Sequence, residues 1–136
     1  MHYRELFVEE LKAFFRKERL VHDDLTELEL SHLGPPESCR IDEIYALTTI
    51  YGVFNRLGEL VGFCLIPSYD KTIAQSLYVA RVHRAQGYAS YMLNALKITL
   101  LCCLTDNANA IRLYESLGFQ KKSITQHSIR FERKLP

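Results

Sequence analysis

At 136 residues, 48% hydrophobic and 24% charged, the chain has the composition of a globular domain that buries a core without disulfides or a structural metal. A formal net charge of +1 excludes the strong overall field of a nucleic-acid or anionic-membrane binder, so neither partner is expected. The whole of 1–136 reads as a single domain.

Met1 leads directly into Arg4-Glu5, which is no secretory leader, and the uncharged stretch from Ile98 to Thr105 is too short to span a bilayer. Cys39, Cys64, Cys102 and Cys103 show no C-x-x-C spacing and no histidine cluster, so no metal site is expected. They read as buried small hydrophobes in a reducing, cytoplasmic compartment. Cys102 and Cys103, adjacent in a strand, should face opposite ways.

In chain order, Phe7, Leu11, Phe14 and Phe15 recur at helical spacing, predicting an amphipathic helix from Arg4 to Arg19. Asp23 can cap a second helix carrying Leu25, Leu28 and His32, which Gly34-Pro35-Pro36 stops. Ile50 to Phe54 and Glu59 to Ile66 predict a β-hairpin turning at Gly58, followed by a strand over 72–79. A helix over 88–97 shows Ala89, Met92, Leu93 and Leu96 on one face, and Ile98 to Leu104 reads as a strand covered on both faces. A further helix follows Asn107, and 120–124 with 128–134 close the sheet as two strands.

Two motifs carry the functional information. Arg84-Ala85-Gln86-Gly87-Tyr88-Ala89 lies between the run Ser76-Leu77-Tyr78-Val79 and a helix. A strand-to-helix turn of this kind presents free backbone N–H groups at the positive end of the helix dipole, where phosphate oxygens bind. Gly87, lacking a Cβ, and the small Ala89 let a phosphate approach the backbone. The second motif, Asn107 to Phe119, places Ala110, Leu113, Tyr114 and Leu117 on one helix face, and Gly118 suits a left-handed cap with Phe119 folding back.

In this order, with an apolar strand between them, the motifs resemble those of the GNAT family of N-acetyltransferases. The family's first motif runs Gln or Arg, two variable positions, Gly, one variable position, then Gly or Ala; Arg84, Gly87 and Ala89 satisfy it. Arg81 stands where many members have proline, and Ala85 where many have glycine. The resemblance implies an α/β (α+β) fold with a mixed, mostly antiparallel central sheet and helices on both faces. The family's fold opens with a strand, for which Met1 to Tyr3 leaves almost no room, so the sequence leaves open whether that strand is present.

The resemblance further implies acetyl-CoA as cosubstrate, without a metal. Backbone amides from Arg84 or Ala85 through Gln86, Gly87, Tyr88, Ala89 and Ser90 would bind the pyrophosphate. The strand ending at Val79 would splay from the strand at 98–104, with the pantetheine arm pairing to backbone at Tyr78 and Val79. Asn107 would hydrogen-bond that arm, with Ala110 beside it, and Tyr114 would serve the sulfur as general acid. The chemistry is consistent, because a thiolate leaving group with a pKa of about 8.5 is matched by a tyrosine near 10 that remains protonated at neutral pH.

The attacking group would be a primary amine of a small molecule, peptide or protein, transferred by direct attack in a ternary complex. An alkylamine must first lose a proton, at a cost of about 4–5 kcal/mol at pH 7. No base is evident. The strand at 72–79 has no Asp or Glu, and Cys102 fills the position where related N-terminal acetyltransferases often carry Glu. Asp42, Glu43, Asp70, His83 and His127 remain as candidates. The alternative is a non-catalytic coenzyme A-binding regulatory or scaffold module, and a homodimer through the first helix is compatible with either.

Overall fold

The computed structural model describes residues 1–18 and 48–136. The second helix expected after Asp23, together with Cys39, Asp42 and Glu43, lies outside the described residues.

The chain opens with β1 (His2–Glu5) and α1 (Val8–Glu18). From Thr48 it continues as β2 (Thr48–Phe54), β3 (Leu60–Pro67), β4 (Ile73–Ala74), β5 (Ser76–Val79), α2 (Tyr88–Ala95), β6 (Leu100–Leu104), α3 (Ala108–Ser116), β7 (Gln120–Ile124) and β8 (Ser128–Glu132). Two four-stranded sheets form, ordered β1-β2-β3-β5 and β4-β6-β8-β7. The β4–β6 pair is parallel and the rest are antiparallel. This is the expected α+β fold, mixed and mostly antiparallel.

The opening strand, which the sequence left open, is present. β1 pairs antiparallel with β2 from His2↔Phe54 to Glu5↔Tyr51. All four of its residues are exposed, so it shows no burial alternation for a sequence pattern to reveal. The backbone ladder holds it, helped by His2 stacked on Phe54 at 4.9 Å and by the Arg4 guanidinium 4.7 Å from the same ring. α1 consequently begins at Val8 rather than Arg4, and Phe7 is left exposed. Glu10 caps the helix by accepting from Phe7 N–H at 2.9 Å, while Arg4 grips the carboxylate at 3.1 and 2.6 Å. These contacts, Arg4 first, hold the Glu10 carboxyl below its usual range.

The hairpin forms as expected. Asn55 Oδ1 accepts from the N–H groups of Leu57 and Glu59, each at 3.0 Å, and Gly58 takes φ +79°. The strand expected over 72–79 is divided at Gln75. Its first part joins β6 through Ile73↔Leu100 and Ala74↔Leu101, while its second part joins β3 from Ser76↔Leu65 to Val79↔Gly62. The two sheets therefore part between β5 and β6.

Gly62 sits where β5 comes closest to β3. A Cβ built there would lie 2.5 Å from the Tyr78 carbonyl oxygen, a backbone atom that cannot rotate away. Gly62→Ala should therefore destabilise the fold by about 2–3 kcal/mol, measurable by urea denaturation.

The core lies on both faces of the first sheet. Leu11, Phe14 and Phe15 of α1 pack on Ile50, Phe63, Leu65 and Tyr78. On the other face Met92 and Leu93 of α2 and Tyr114 of α3 join Val53, Val61, Leu101, Cys103, Ile129 and Phe131. β6 is not covered on both faces as its apolar run suggested, because Cys102 is exposed opposite Arg130 while Cys103 is buried. The two cysteines do face opposite ways. Burial pushes the Cys64 thiol up to about 12.

Arg133, just past β8, ties the helices together. Its guanidinium donates to the carbonyls of Ile98 at 2.8 Å, Leu93 at 2.9 Å and Leu117 at 3.2 Å, and to Asn94 Oδ1 at 3.0 Å. It also stacks 4.4 Å from the Phe119 ring. These bonds satisfy carbonyls at the ends of both α2 and α3. Arg133→Ala should cost about 2–4 kcal/mol in chemical denaturation, and Arg133→Lys should recover little of it because an ammonium cannot span the same four acceptors.

Candidate active site

A cavity of about 490 Å³ lies between β5, the turn that follows it, α2 and α3. Of the residues expected to contact the coenzyme, Tyr78, Val79, Arg84, Ala85, Gly87, Tyr88, Ala89, Ser90, Asn107, Ala110 and Tyr114 all line it. Gln86 does not. It is exposed and its Nε2 donates outward to the Val82 carbonyl at 3.5 Å. Leu77, His83, Asn109 and Leu113 complete the wall and were not anticipated as such, although His83 was a candidate base.

The turn is shaped by two left-handed residues. After a single 3-10 turn at Arg81–His83, Ala85 takes φ +61° and Gly87 φ +89°, and α2 starts at Tyr88. For Ala85, standing where many GNAT members have glycine, this conformation costs about 1–2 kcal/mol. The substituted residue is thus held in the conformation that glycine adopts freely. Arg84 N–H donates to Arg81 and Tyr91 N–H to Gly87, but the N–H groups of residues 85–90 have no acceptor among the described residues. They form a row of donors at the positive end of α2.

β5 supplies the next part of the wall. Ala80 N–H donates to Val61 at 2.8 Å, so the alternation of the antiparallel ladder turns the peptide groups of Tyr78 toward β3 and those of Leu77 and Val79 away from it. Of the two residues expected to offer backbone, Val79 faces the gap, whereas the polar backbone of Tyr78 serves the ladder; Leu77 is the second outward residue. The Val79 carbonyl accepts from Arg84 Nε at 2.8 Å, and the guanidinium lies 5.3 Å from the Tyr78 ring.

α3 closes the cavity. Asn107 is its N-cap, with Oδ1 accepting from Ala110 N–H at 3.2 Å. That bond fixes the amide's orientation and leaves its NH₂ without an acceptor among the described residues. Tyr114 is 8% exposed, and its ring is held edge-on to Phe131 at 5.5 Å and Phe119 at 6.0 Å. Phe119 is folded back as expected: its N–H donates to the Tyr114 carbonyl at 3.0 Å, next to Gly118 at φ +91°.

Among the candidate bases, His83 lines the cavity, edge-on to Tyr88 at 6.2 Å. Asp70 is occupied in its own turn, accepting from Thr72 N–H at 2.9 Å and Thr72 Oγ1 at 2.6 Å, which holds its carboxyl below the usual range. Neither Asp70 nor His127 contributes to the wall. Cys102 is also outside it, and although the side chain is exposed, partial desolvation by its neighbours raises its thiol against the opposing pull of Arg130, which disfavours a thiolate nucleophile. Among the described residues no group of three or more His, Cys, Asp or Glu could hold a metal, and no helix is long and apolar enough to cross a membrane.

The same architecture occurs in solved structures. Ribosomal-protein-alanine N-acetyltransferase from Brucella melitensis superposes with a TM-score of 0.71 at 19% identity, over 99% of this chain and 100% of that one. A mutant of spermidine N-acetyltransferase from Vibrio cholerae gives 0.69 at 18%, over 98% and 94%. A Bacillus anthracis structure solved in complex with acetyl coenzyme A gives 0.56 at 15%, over 65% and 63%. A search of curated proteins gave no match. The family model described as acetyltransferase (GNAT) domain matches residues 47–121, more than half of the sequence and the whole of the cavity wall. The chain belongs to the GNAT acetyltransferase family.

Proposed function

We propose that the protein is an acetyl-CoA-dependent N-acetyltransferase that passes the acetyl group to a primary amine by direct attack in a ternary complex. The observation that carries this reading is the continuity of the cavity from the free N–H row at 85–90, past the outward edge of β5, to Tyr114. The wall fits the coenzyme chemically. Anionic oxygens suit the N–H row, amides suit the exposed edge at Leu77 and Val79, and a carbonyl suits the Asn107 NH₂.

The coenzyme supplies the activated acyl group, and this chain's residues do the rest. The α2 amides hold the pyrophosphate and Arg84 adds positive charge beside it. Val79 and Asn107 align the arm, and Tyr114 donates its phenolic proton toward the sulfur. Arg84 must yield or share the Val79 carbonyl when the arm docks. For the acceptor, the similar solved structures are named for two amines, spermidine and the alanine of a ribosomal protein, which make a polyamine and a protein amine the classes to try.

Two measurements test the reading. Coenzyme A should raise the melting temperature in proportion to occupancy, by mass action. A panel containing spermidine and an alanine-initiated peptide should reveal an amine that releases free thiol from acetyl-CoA. Binding without release for any amine would favour the non-catalytic coenzyme-binding module.

A further inference from the structure

Tyr88 opens α2, and its backbone and side chain serve different places. Its N–H belongs to the donor row at 85–90, while its ring joins the apolar cluster packed between α2 and the first sheet, with Met92 one turn on. Only 8% of the residue is exposed, and its ring stands edge-on to His83 at 6.2 Å. Both residues line the cavity.

The hydroxyl at the end of that ring has no hydrogen-bond partner among the described residues, yet it is not sealed from solvent. A tyrosine buried to this extent ordinarily pairs its hydroxyl. In the free protein, cavity water satisfies the group. A ligand that fills the cavity displaces that water, and a hydroxyl then left unpaired carries its full desolvation cost. Phenylalanine would pack in the same place without that cost, so the hydroxyl favours a ligand that brings a partner.

Depth in the cavity identifies the partner. The Tyr88 N–H lies in the row, and the ring runs inward from it toward the sheet, so the hydroxyl sits deeper than the row, on the way to β5. Leu77 and Val79 of β5 pack against the same cluster and line the cavity there. With phosphate oxygens on the row, the part of the ligand at that depth is the neutral arm, whose amides and hydroxyl are hydrogen-bonding groups.

We propose that the Tyr88 hydroxyl binds the first polar group of the coenzyme's arm beyond the pyrophosphate, an inference that rests on the coenzyme-binding part of the reading above. It meets the arm from α2, opposite Asn107 on α3, with the outward edge of β5 between them. The contact is neutral, so it fixes the arm's position and favours a ligand carrying the arm over a bare nucleoside diphosphate. No bond of the thioester is made or broken by it.

Tyr88→Phe removes the hydroxyl alone. Calorimetric titration of the full chain with coenzyme A should show Kd raised roughly three- to tenfold, as for loss of one neutral hydrogen bond. The melting temperature of the free protein should stay within about 2 °C of wild type, because no bond within the fold is lost. A crystal structure of the wild type with coenzyme A should place Tyr88 Oη within hydrogen-bond distance of an oxygen or nitrogen of the arm. A Kd within twofold of wild type, a melting temperature lowered by several degrees, or a hydroxyl bonded only to water or to a pyrophosphate oxygen overturns the assignment and leaves the coenzyme reading intact. A wild type that binds no coenzyme A overturns both.

Discussion

Tyr114→Phe should lower turnover by roughly 10²–10⁴-fold, the usual range for loss of a general acid. The substitution isolates the hydroxyl because the ring's packing, edge-on to Phe119 and Phe131, is unchanged. Stability should shift by less than about 1.5 kcal/mol. Coenzyme affinity should change far less than turnover, because the N–H row at the start of α2 is untouched. Single-turnover measurement of thiol release, beside a thermal shift with coenzyme A, separates the two effects. Unchanged turnover would make the hydroxyl a bystander and assign the sulfur to water or another group.

Gly87→Ala should weaken coenzyme binding by roughly 10–100-fold, the equivalent of losing one or two charge-assisted hydrogen bonds. Gly87 has φ +89°, and an added Cβ would meet nothing closer than the Met1 methyl at 3.6 Å. Space is therefore available and the penalty lies in the backbone. Alanine either bears strain of about 1–2 kcal/mol or relaxes the turn and disperses the aligned N–H groups. Titration calorimetry with coenzyme A measures the loss, and circular dichroism checks that the fold persists. Binding equal to wild type would remove the pyrophosphate from this turn.

The site was legible because both motifs are local. Gly87, Asn107, Gly118 and Phe119 each perform a backbone task within a few residues, a left-handed turn, an N-cap or a folded-back C-cap, and such tasks leave a residue-type signature. The features that escaped notice depend on partners distant in sequence. β1 is held by main-chain pairing to residues some fifty positions away and carries no apolar alternation. Arg133 reads as one more charge near the C-terminus, yet it satisfies the carbonyls of Leu93, in the last turn of α2, and Leu117, just past α3. The division at Gln75 could not be read from 72–79 either, since a strand that changes partners keeps its own composition; the splay was expected from the family resemblance alone. Gln86 was expected to offer its backbone amide, and that N–H stays in the row at 85–90 although the residue does not line the cavity.

On the proposed reading one cavity holds the coenzyme's pyrophosphate at the start of α2 and its sulfur at Tyr114. A crystal structure of the protein grown with acetyl-CoA tests it most directly. Pyrophosphate oxygens should lie within hydrogen-bond distance of the N–H groups between Gly87 and Ser90, the arm along the outward edge of β5 at Val79, and the sulfur beside the Tyr114 hydroxyl. Density for the coenzyme outside the split between β5 and β6, or a sulfur out of reach of Tyr114, would contradict it.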